Sequence, residues 1–324
     1  MTETFRQRAD AAAIAWKATS PSLPDEARVP AGYRGTGKAY EFCVPPEHSA
    51  LNLLPEARDV ALDRFTKYAI PWHHGRERLP SNHLLSSQVA CANALAPFVA
   101  DPEALRWLFS PVLDIKKVMP FGDAASPDDH VTFEWVGRTD HLNERRGKAL
   151  SRGAQMTSAD AAIRFKTSSG AIEIALIEWK YTEAYSGSPV KTASSSNLRR
   201  LATYLPFWAD PTGPLNDALG IEHRLIEPLY QLGRQQLLAW RMEVAKELDA
   251  DRVSVVEAAP AANTALWTGV PHELGSDLRE IWPMSLRRPD RWVHLDTARW
   301  LEPEAPTSSE FRKRYAALVA TQVD

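Results

Sequence analysis

The most informative run of apolar positions lies near the middle of the chain, at residues 171–180. In this segment, AIEIALIEWK, both alternating sets of positions are mostly apolar, which is typical of a strand buried on both faces. A second strand-like run precedes it at 159–165, and the residues between them, KTSSG at 166–170, form a turn signal. The pattern therefore predicts a buried antiparallel hairpin.

Three charged side chains fall at one end of this hairpin: Asp160 on the first strand, and Glu178 and Lys180 on the second. Because strand residues alternate between faces, Glu178 and Lys180 share a face. If the hairpin folds about Ser169, Asp160 lies opposite Glu178, and if it folds about Gly170, Asp160 lies opposite Lys180. A slip of one residue would move Asp160 to the other face and separate the three.

The rest of the pattern predicts an α/β protein. Apolar residues at helical spacing favour helices at 82–108, with a bend or restart at Pro97, at 197–208, and at 221–247, with a break at Pro228. Short apolar runs favour strands at 131–136 and 252–257. Strand, helix and strand in succession indicate a right-handed crossover, so we expect a mixed, mostly antiparallel sheet flanked by helices.

Composition divides the chain into three regions. Residues 1–81 are rich in proline and predict an irregular N-terminal arm packed on the core. Residues 82–260 contain the predicted sheet and form the core. Residues 261–324 form a tryptophan-rich extension, and a capping-box pattern, TSSE at 307–310, predicts that it ends in a helix.

Length and charge limit the class of protein. With 324 residues, 44% of them hydrophobic, the chain can bury a substantial core. A net charge of −3 and a pI near 6.3 argue against a protein that coats nucleic acid indiscriminately. The chain contains no long apolar stretch and no signal-peptide pattern at its start, so we expect a soluble, cytoplasmic protein with no membrane partner. Cys43 and Cys91 have no metal-ligand spacing and indicate no disulfide framework.

Two other motifs are weaker than they first look. Residues 32–39, GYRGTGKA, nearly match a phosphate-binding P-loop, but Ala39 lacks the hydroxyl that ligates Mg²⁺ and no apolar strand precedes the loop. His73, His74 and His83 are close in sequence, but no helix or strand pattern brings them together. We therefore interpret the first as coincidence and the second as surface imidazoles.

The hairpin residues have a definite chemistry. Two carboxylates on neighbouring strands can hold a hard cation such as Mg²⁺, with Mn²⁺ as a substitute, and leave positions for water and a phosphate oxygen. A lysine beside them can position or deprotonate the attacking water and offset charge on the phosphorus. Asp160, Glu178 and Lys180 therefore predict metal-assisted phosphodiester hydrolysis.

The same residues resemble the signature of the PD-(D/E)XK nuclease superfamily. Asp160 in TSADAA, followed by Glu178-Trp179-Lys180 in IEWKYTE, is similar to the motif of this restriction-endonuclease-like fold, although Ala159 stands where the motif has proline. The resemblance implies a restriction-endonuclease-like core over about 82–260. It also implies that Asp160 and Glu178 bind Mg²⁺ while Lys180 assists the water. It further implies a DNA substrate and, as in many proteins of this fold, a possible homodimer.

Several further residues are candidates for the site. Glu134, on the strand predicted at 131–136, is a candidate auxiliary acid. Gln231 and Gln235 lie one turn apart on a predicted helix, where the resembled fold often places polar residues toward the metal. The loop between Glu134 and Asp160 is net basic, and its arginines and lysine are candidate phosphate ligands: Arg145, Arg146, Lys148 and Arg152.

Alternatives remain for each of these interpretations. Glu178 and Lys180 could be a solvated pair at a strand end, and the basic loop could simply face solvent. The fold could also be a catalytically inactive module that binds nucleic acid or protein. The sequence does not distinguish DNA from RNA, or endonuclease from exonuclease.

Overall fold

The computed structural model describes residues 3–35, 37–145, 147–153, 156–185 and 195–319, without the side chains of 195–200. The helices in these ranges are α1 Phe5–Thr19, α2 Pro55–Lys67, α3 Ser87–Leu95, α4 Pro102–Phe109, α5 Ser195–Trp208, α6 Leu229–Val244, α7 Thr264–Trp267, α8 Leu278–Met284 and α9 Ser309–Arg314. The strands are β1 Ala31–Gly32, β2 Ala39–Tyr40, β3 Lys117–Met119, β4 Val131–Trp135, β5 Ala159–Lys166, β6 Ile172–Trp179, β7 Arg252–Ala259 and β8 Trp292–Asp296.

The central sheet has six strands in the order β3-β5-β6-β7-β8, and β4 pairs with the same edge of β5 as β3 does. Its β3, β4, β5 and β6 pairings are antiparallel, whereas β6 with β7 and β7 with β8 are parallel. The expectation of a mostly antiparallel sheet was therefore wrong. Helix α6 connects β6 to β7, and α7 and α8 lie between β7 and β8, so both connections are long enough for parallel pairing.

The hairpin register is the one that folds about Ser169. Ala161 pairs with Ile177, and the ladder continues to Lys166 with Ile172. One residue further along this register, Asp160 lies opposite Glu178. The predicted hairpin is confirmed, and the first of the two predicted registers is the one adopted.

The sheet is packed on both faces. On one face, apolar side chains of α1 to α4 and α9 form a single cluster with β5, β6 and β7. On the other face, α5, α6 and α8 form a second cluster with the alternate residues of the same strands. Residues from the predicted arm, core and extension all contribute to the first cluster. Among the described residues, no helix combines the length and the apolar character needed to cross a membrane.

Two helix starts differ from the prediction because a serine side chain caps the helix at a later residue. The predicted helix at 82–108 begins later, at Ser87, because Asn82 is used in tertiary contacts and Ser86 caps the helix by accepting from the Val89 N–H. As predicted, it breaks at Pro97. The final helix is capped by Ser308 rather than by the residue before it.

Candidate active site

Asp160 lies at the start of β5, at the edge of the sheet where β4 and β6 end. Its Oδ2 accepts a hydrogen bond of 2.7 Å from the backbone N–H of Trp179 on the next strand. This bond fixes the carboxylate beside Glu178, the residue opposite Asp160 in the hairpin register. The hairpin therefore brings together the two acids that the sequence predicted.

Glu178 and Lys180 form a buried ion pair that α6 covers. The Lys180 Nζ donates to Glu178 Oε1 at 2.5 Å and to Gln231 Oε1 at 2.9 Å. The Gln231 side chain donates to the same Glu178 oxygen, and Gln235 Nε2 donates to the other. Glu178 is 3% exposed and Lys180 is 6% exposed, so the alternative of a solvated pair at a strand end is wrong.

The charge on Lys180 is held by its neighbours. Burial disfavours the charged ammonium, but the negative Glu178 and further acidic neighbours favour it more, and the pKa of Lys180 is raised well above its ordinary value. The two glutamines hydrogen-bond to the ion pair: Gln231 contacts both Lys180 and Glu178, and Gln235 contacts Glu178. Both Gln231 and Gln235 therefore lie where the sequence analysis expected, against the acidic side of the hairpin.

Glu134 is a third buried acid beside the same strands. The flanking pairs, Phe133 with Ala161 and Trp135 with Ala159, place Glu134 opposite Asp160. Its backbone has a positive φ of 48°. The two carboxylate oxygens accept from Gln88 Nε2 and from Ser158 Oγ, both at 2.8 Å.

Gly153 packs directly against the Glu134 side chain. A Cβ at Gly153 would be 3.2 Å from the Glu134 carboxyl carbon, and the Gly153 φ of +62° disfavours any other residue. A side chain at position 153 would therefore crowd the Glu134 carboxylate.

The three acids affect one another electrostatically. Burial raises the pKa of Asp160 well above its usual value, and the charges of Glu178 and Glu134 raise it further against the opposing effects of Lys180 and the Trp179 N–H. Burial also raises the pKa of Glu134, as does Glu178, although the hydrogen bonds from Gln88 and Ser158 oppose the shift. Clustered, desolvated carboxylates repel one another, and a bound cation would relieve that repulsion.

Glu257 is a fourth acid of the site, and the sequence analysis missed it. It lies on β7, paired with Glu178 across the parallel ladder, and is only 1% exposed. Its Oε2 has no hydrogen-bond partner among the described residues. Burial raises its pKa to about 8; Lys180 opposes this shift and Glu178 adds to it. An acid in the apolar run VVEAA was the available signal, but its position depends on the β6–β7 register.

The acids suit a hard cation in their chemistry. Carboxylate oxygens are the ligands that Mg²⁺ prefers, and Mg²⁺ usually takes only one or two protein carboxylates with water and phosphate oxygens. Within the part of the chain that the structure describes, no group of three or more His, Cys, Asp or Glu side chains is arranged to hold a metal ion. Asp160 and Glu178 fit such an ion as donors, provided that Glu178 exchanges hydrogen bonds from the glutamines for the metal.

Comparison with known proteins places the chain in a family. The family described as restriction endonuclease associating with ARP, or REase-ARP, matches residues 10–316. The chain belongs to this family. The match spans the hairpin, α3, α6 and β7, and so includes every acid of the site. Neither the curated proteins nor the solved structures contain a match to the chain. Membership of the REase-ARP family indicates a nuclease-type function.

The buried acid on β7 of this REase-ARP member leads to a prediction about pH. An acid with a pKa of about 8 keeps its proton in the folded state up to that pH, whereas the unfolded chain loses it near pH 4.5. Between pH 5 and 8 the folded state therefore binds more protons, and stability falls as pH rises. Glu257→Gln removes the contribution of this acid, so the free energy of unfolding of the native protein should decline with pH relative to that of the variant.

Urea denaturation in chelator at pH 5 and pH 8 measures this difference. Glu103→Gln, at an acid on α4 whose side chain is 71% exposed, is the matched control. A wild-type to Glu257→Gln difference that stays constant with pH would contradict the assignment of a protonated, buried acid.

The basic loop of the REase-ARP member contributes less free positive charge than its composition suggests. Arg152 donates to Asp123 at 2.5 Å and to Thr132 at 2.8 Å, and its guanidinium lies 3.9 Å from the ring centroid of Tyr68. It therefore cross-links the loop to the body of the protein. Arg145 is half-buried and Lys148 exposed, whereas Arg146 lies outside the described residues.

We expect Arg152→Ala to reduce stability. The change leaves Asp123, whose side chain is 7% exposed, without its ion-pair partner. Breaking a buried pair from one side costs about 3–5 kcal/mol. Urea denaturation should show a loss of this order for Arg152→Ala and none for Lys148→Ala. Unchanged stability in Arg152→Ala, together with weaker DNA binding, would instead make Arg152 a nucleic-acid ligand.

Proposed function

We propose that this REase-ARP family member is a Mg²⁺-dependent endonuclease of the PD-(D/E)XK type, which hydrolyses phosphodiester bonds of DNA. The observation that carries the proposal is the convergence of Asp160, Glu178 and Lys180 at one end of a buried hairpin. The family supplies the nuclease context. The acids and the lysine are the groups that this reaction requires.

Each residue has a distinct part in the proposed reaction. Asp160 and Glu178 would hold Mg²⁺, which when bound polarises the scissile phosphate and lowers the pKa of bound water. Lys180 donates hydrogen bonds from a fixed position, and so orients the attacking water and offsets negative charge on the phosphate oxygens. Gln231 and Gln235 hold Glu178 in place. Glu134 is proposed as an auxiliary acid that binds the metal or its water.

The same site supports a second candidate function, a module that keeps the nuclease fold but performs no chemistry. Both oxygens of Glu178 are already hydrogen-bonded, to Lys180 and Gln231 on one side and to Gln235 on the other. A carboxylate whose two oxygens are both occupied by hydrogen bonds favours a metal-free, structural role. The intact set of two acids and one lysine favours catalysis instead.

Cleavage of defined substrates by the purified protein separates these functions. Supercoiled plasmid, linear duplex and single-stranded RNA would each be incubated with Mg²⁺, with Mn²⁺ and with chelator. Metal-dependent nicking of the plasmid is expected for a DNA endonuclease. Shortening of linear DNA from its ends would indicate an exonuclease, and cleavage of RNA alone would change the substrate. The absence of cleavage in every arm would favour the inactive module. Light scattering on the same preparation tests the proposed homodimer.

A further inference from the structure

A polar cavity lies on the N-terminal part of the chain, and none of the site acids lines it. It has a volume of about 410 Å³. Its polar lining consists of two arginines, a histidine, a serine and an asparagine: Arg34, Arg76, His74, Ser49 and Asn82. Among the described residues that line it, none is an aspartate or a glutamate. The cavity is thus basic and hydrogen-bonding, in contrast to the acidic cluster at the end of the hairpin.

The two arginines of this cavity have no acidic partner among the described residues. Arg34 Nη1 lies 3.4 Å from His74 Nε2. Burial, the neighbouring His73 and Arg34 all lower the pKa of His74. The ion pairs in the described part of the chain include neither Arg34 nor Arg76. Two arginines and an imidazole that converge in this way form a site for an anion.

Glycines fix the shape of the cavity walls. One wall contains Gly32, Arg34 and Gly35, and Gly35 has a φ of +69° and open space where a Cβ would lie. Asn82 anchors this wall by donating to the Gly32 carbonyl at 3.0 Å. The opposite wall turns at Gly75, where a Cβ would be 2.1 Å from the Leu79 carbonyl oxygen. The glycine-rich segment is flanked by the short strands β1 and β2 rather than by a strand and a helix. The sequence analysis was therefore right to reject a P-loop.

One side chain connects the basic cavity to the acidic cluster. The backbone N–H of His73, next to the cavity residue His74, donates to Gln88 Oε1 at 2.7 Å. The other end of the same side chain donates to Glu134 Oε1 at 2.8 Å. A single glutamine therefore joins the segment that carries His74 to Glu134. A nucleic-acid strand with one phosphate at the acids can therefore extend toward the segment that carries His74.

We propose that this cavity, lined by Arg34, His74 and Arg76, binds a phosphate group of the nucleic acid next to the one that is cut. The inference rests on the proposed nuclease function, because it assigns the phosphate to the same strand. The chemistry that the cavity recognises is a phosphate group, from a nucleic-acid backbone or from a free phosphate or mononucleotide. Phosphate contacts of this kind position a strand without reading its sequence.

The test is the binding of a fluorescent DNA duplex, followed by anisotropy in chelator so that no cleavage is needed. The double variant Arg34→Ala/Arg76→Ala removes both guanidinium groups, which are exposed and have no ion pair within the described ranges. Arg106→Ala, at an arginine on α4 that pairs with Glu103, is the matched control. A parallel arm measures the thermal stabilisation of each protein by inorganic phosphate and by a mononucleotide.

The double variant should bind DNA about 10-fold more weakly than the native protein at low salt. Its salt dependence should also be shallower, by a slope of roughly 0.9 for each phosphate that the variant no longer neutralises. Arg106→Ala should bind as the native protein does. If stabilisation by free phosphate disappears instead while DNA binding is unchanged, the site takes a free phosphate. Unchanged DNA binding and unchanged phosphate stabilisation in the double variant would overturn the proposal.

The cleavage assay keeps this outcome separate from that of the proposed function. If the native protein cuts plasmid with Mg²⁺ and the double variant binds DNA normally, the proposal of a strand-phosphate site fails and the nuclease proposal stands. If the double variant binds DNA more weakly but the native protein never cuts, the phosphate site stands and the nuclease proposal fails.

Discussion

Lys180→Met is expected to reduce the rate of plasmid cleavage by roughly 10²–10³-fold, the range that removal of one positioned hydrogen-bond donor costs. Methionine keeps most of the length of the lysine side chain but has no ammonium. The variant therefore loses the ammonium proposed to orient the water, whereas Asp160 and Glu178, the proposed metal ligands, remain. Single-turnover cleavage with saturating Mg²⁺ measures the chemical step.

The control for this variant is Lys166→Met, at an exposed lysine near the turn of the same hairpin. It should cut at the native rate. Calorimetry should show that Lys180→Met still binds Mg²⁺, which separates a loss of chemistry from a loss of the metal. Cleavage at the native rate by a folded Lys180→Met protein would remove Lys180 from the mechanism.

Glu178→Gln is expected to abolish cleavage and to destabilise the fold. The change leaves the Lys180 ammonium buried without its carboxylate, and breaking a buried pair from one side costs about 3–5 kcal/mol. It also removes a proposed metal ligand. Urea denaturation in chelator should show the loss of stability, and plasmid cleavage should fall to background.

A double variant separates the two effects. Glu178→Gln/Lys180→Met replaces the buried ion pair with neutral groups of similar size, an exchange that is often nearly neutral for stability. The double variant should therefore regain most of the stability that Glu178→Gln alone removes, while remaining inactive. A double variant as unstable as Glu178→Gln would show that the ion pair is not what stabilises this part of the fold.

The hairpin could be predicted because local rules determine it. Alternating apolar residues specify which side chains share a face, and the short turn at 166–170 limits the register to a few choices. These rules bring Asp160, Glu178 and Lys180 together without any knowledge of the rest of the fold. The start of α1 also had a local signal that the sequence analysis missed, since Thr4 and Gln7 form a capping box.

Long-range pairing could not be predicted in the same way. Glu257 faces Glu178 only because α6 returns the chain so that β7 lies parallel to β6, and no local pattern sets that register. Arg152 pairs with Asp123, which lies 29 residues earlier in the chain. The composition of the loop that carries Arg152 therefore could not predict this ion pair. Contacts between elements thus determined which charged residues join the site and which stabilise the fold.

Asp160→Asn tests the central claim most directly, through the nicking of supercoiled plasmid with Mg²⁺. The asparagine carbonyl can still accept the Trp179 N–H, so the hairpin should stay intact, while the negative charge that the metal needs is removed. The proposed mechanism predicts metal-dependent nicking by the native protein and a reduction of about 10³-fold or more in the variant. Equal nicking by the two folded proteins would show that the cleavage does not take place at this cluster of acids.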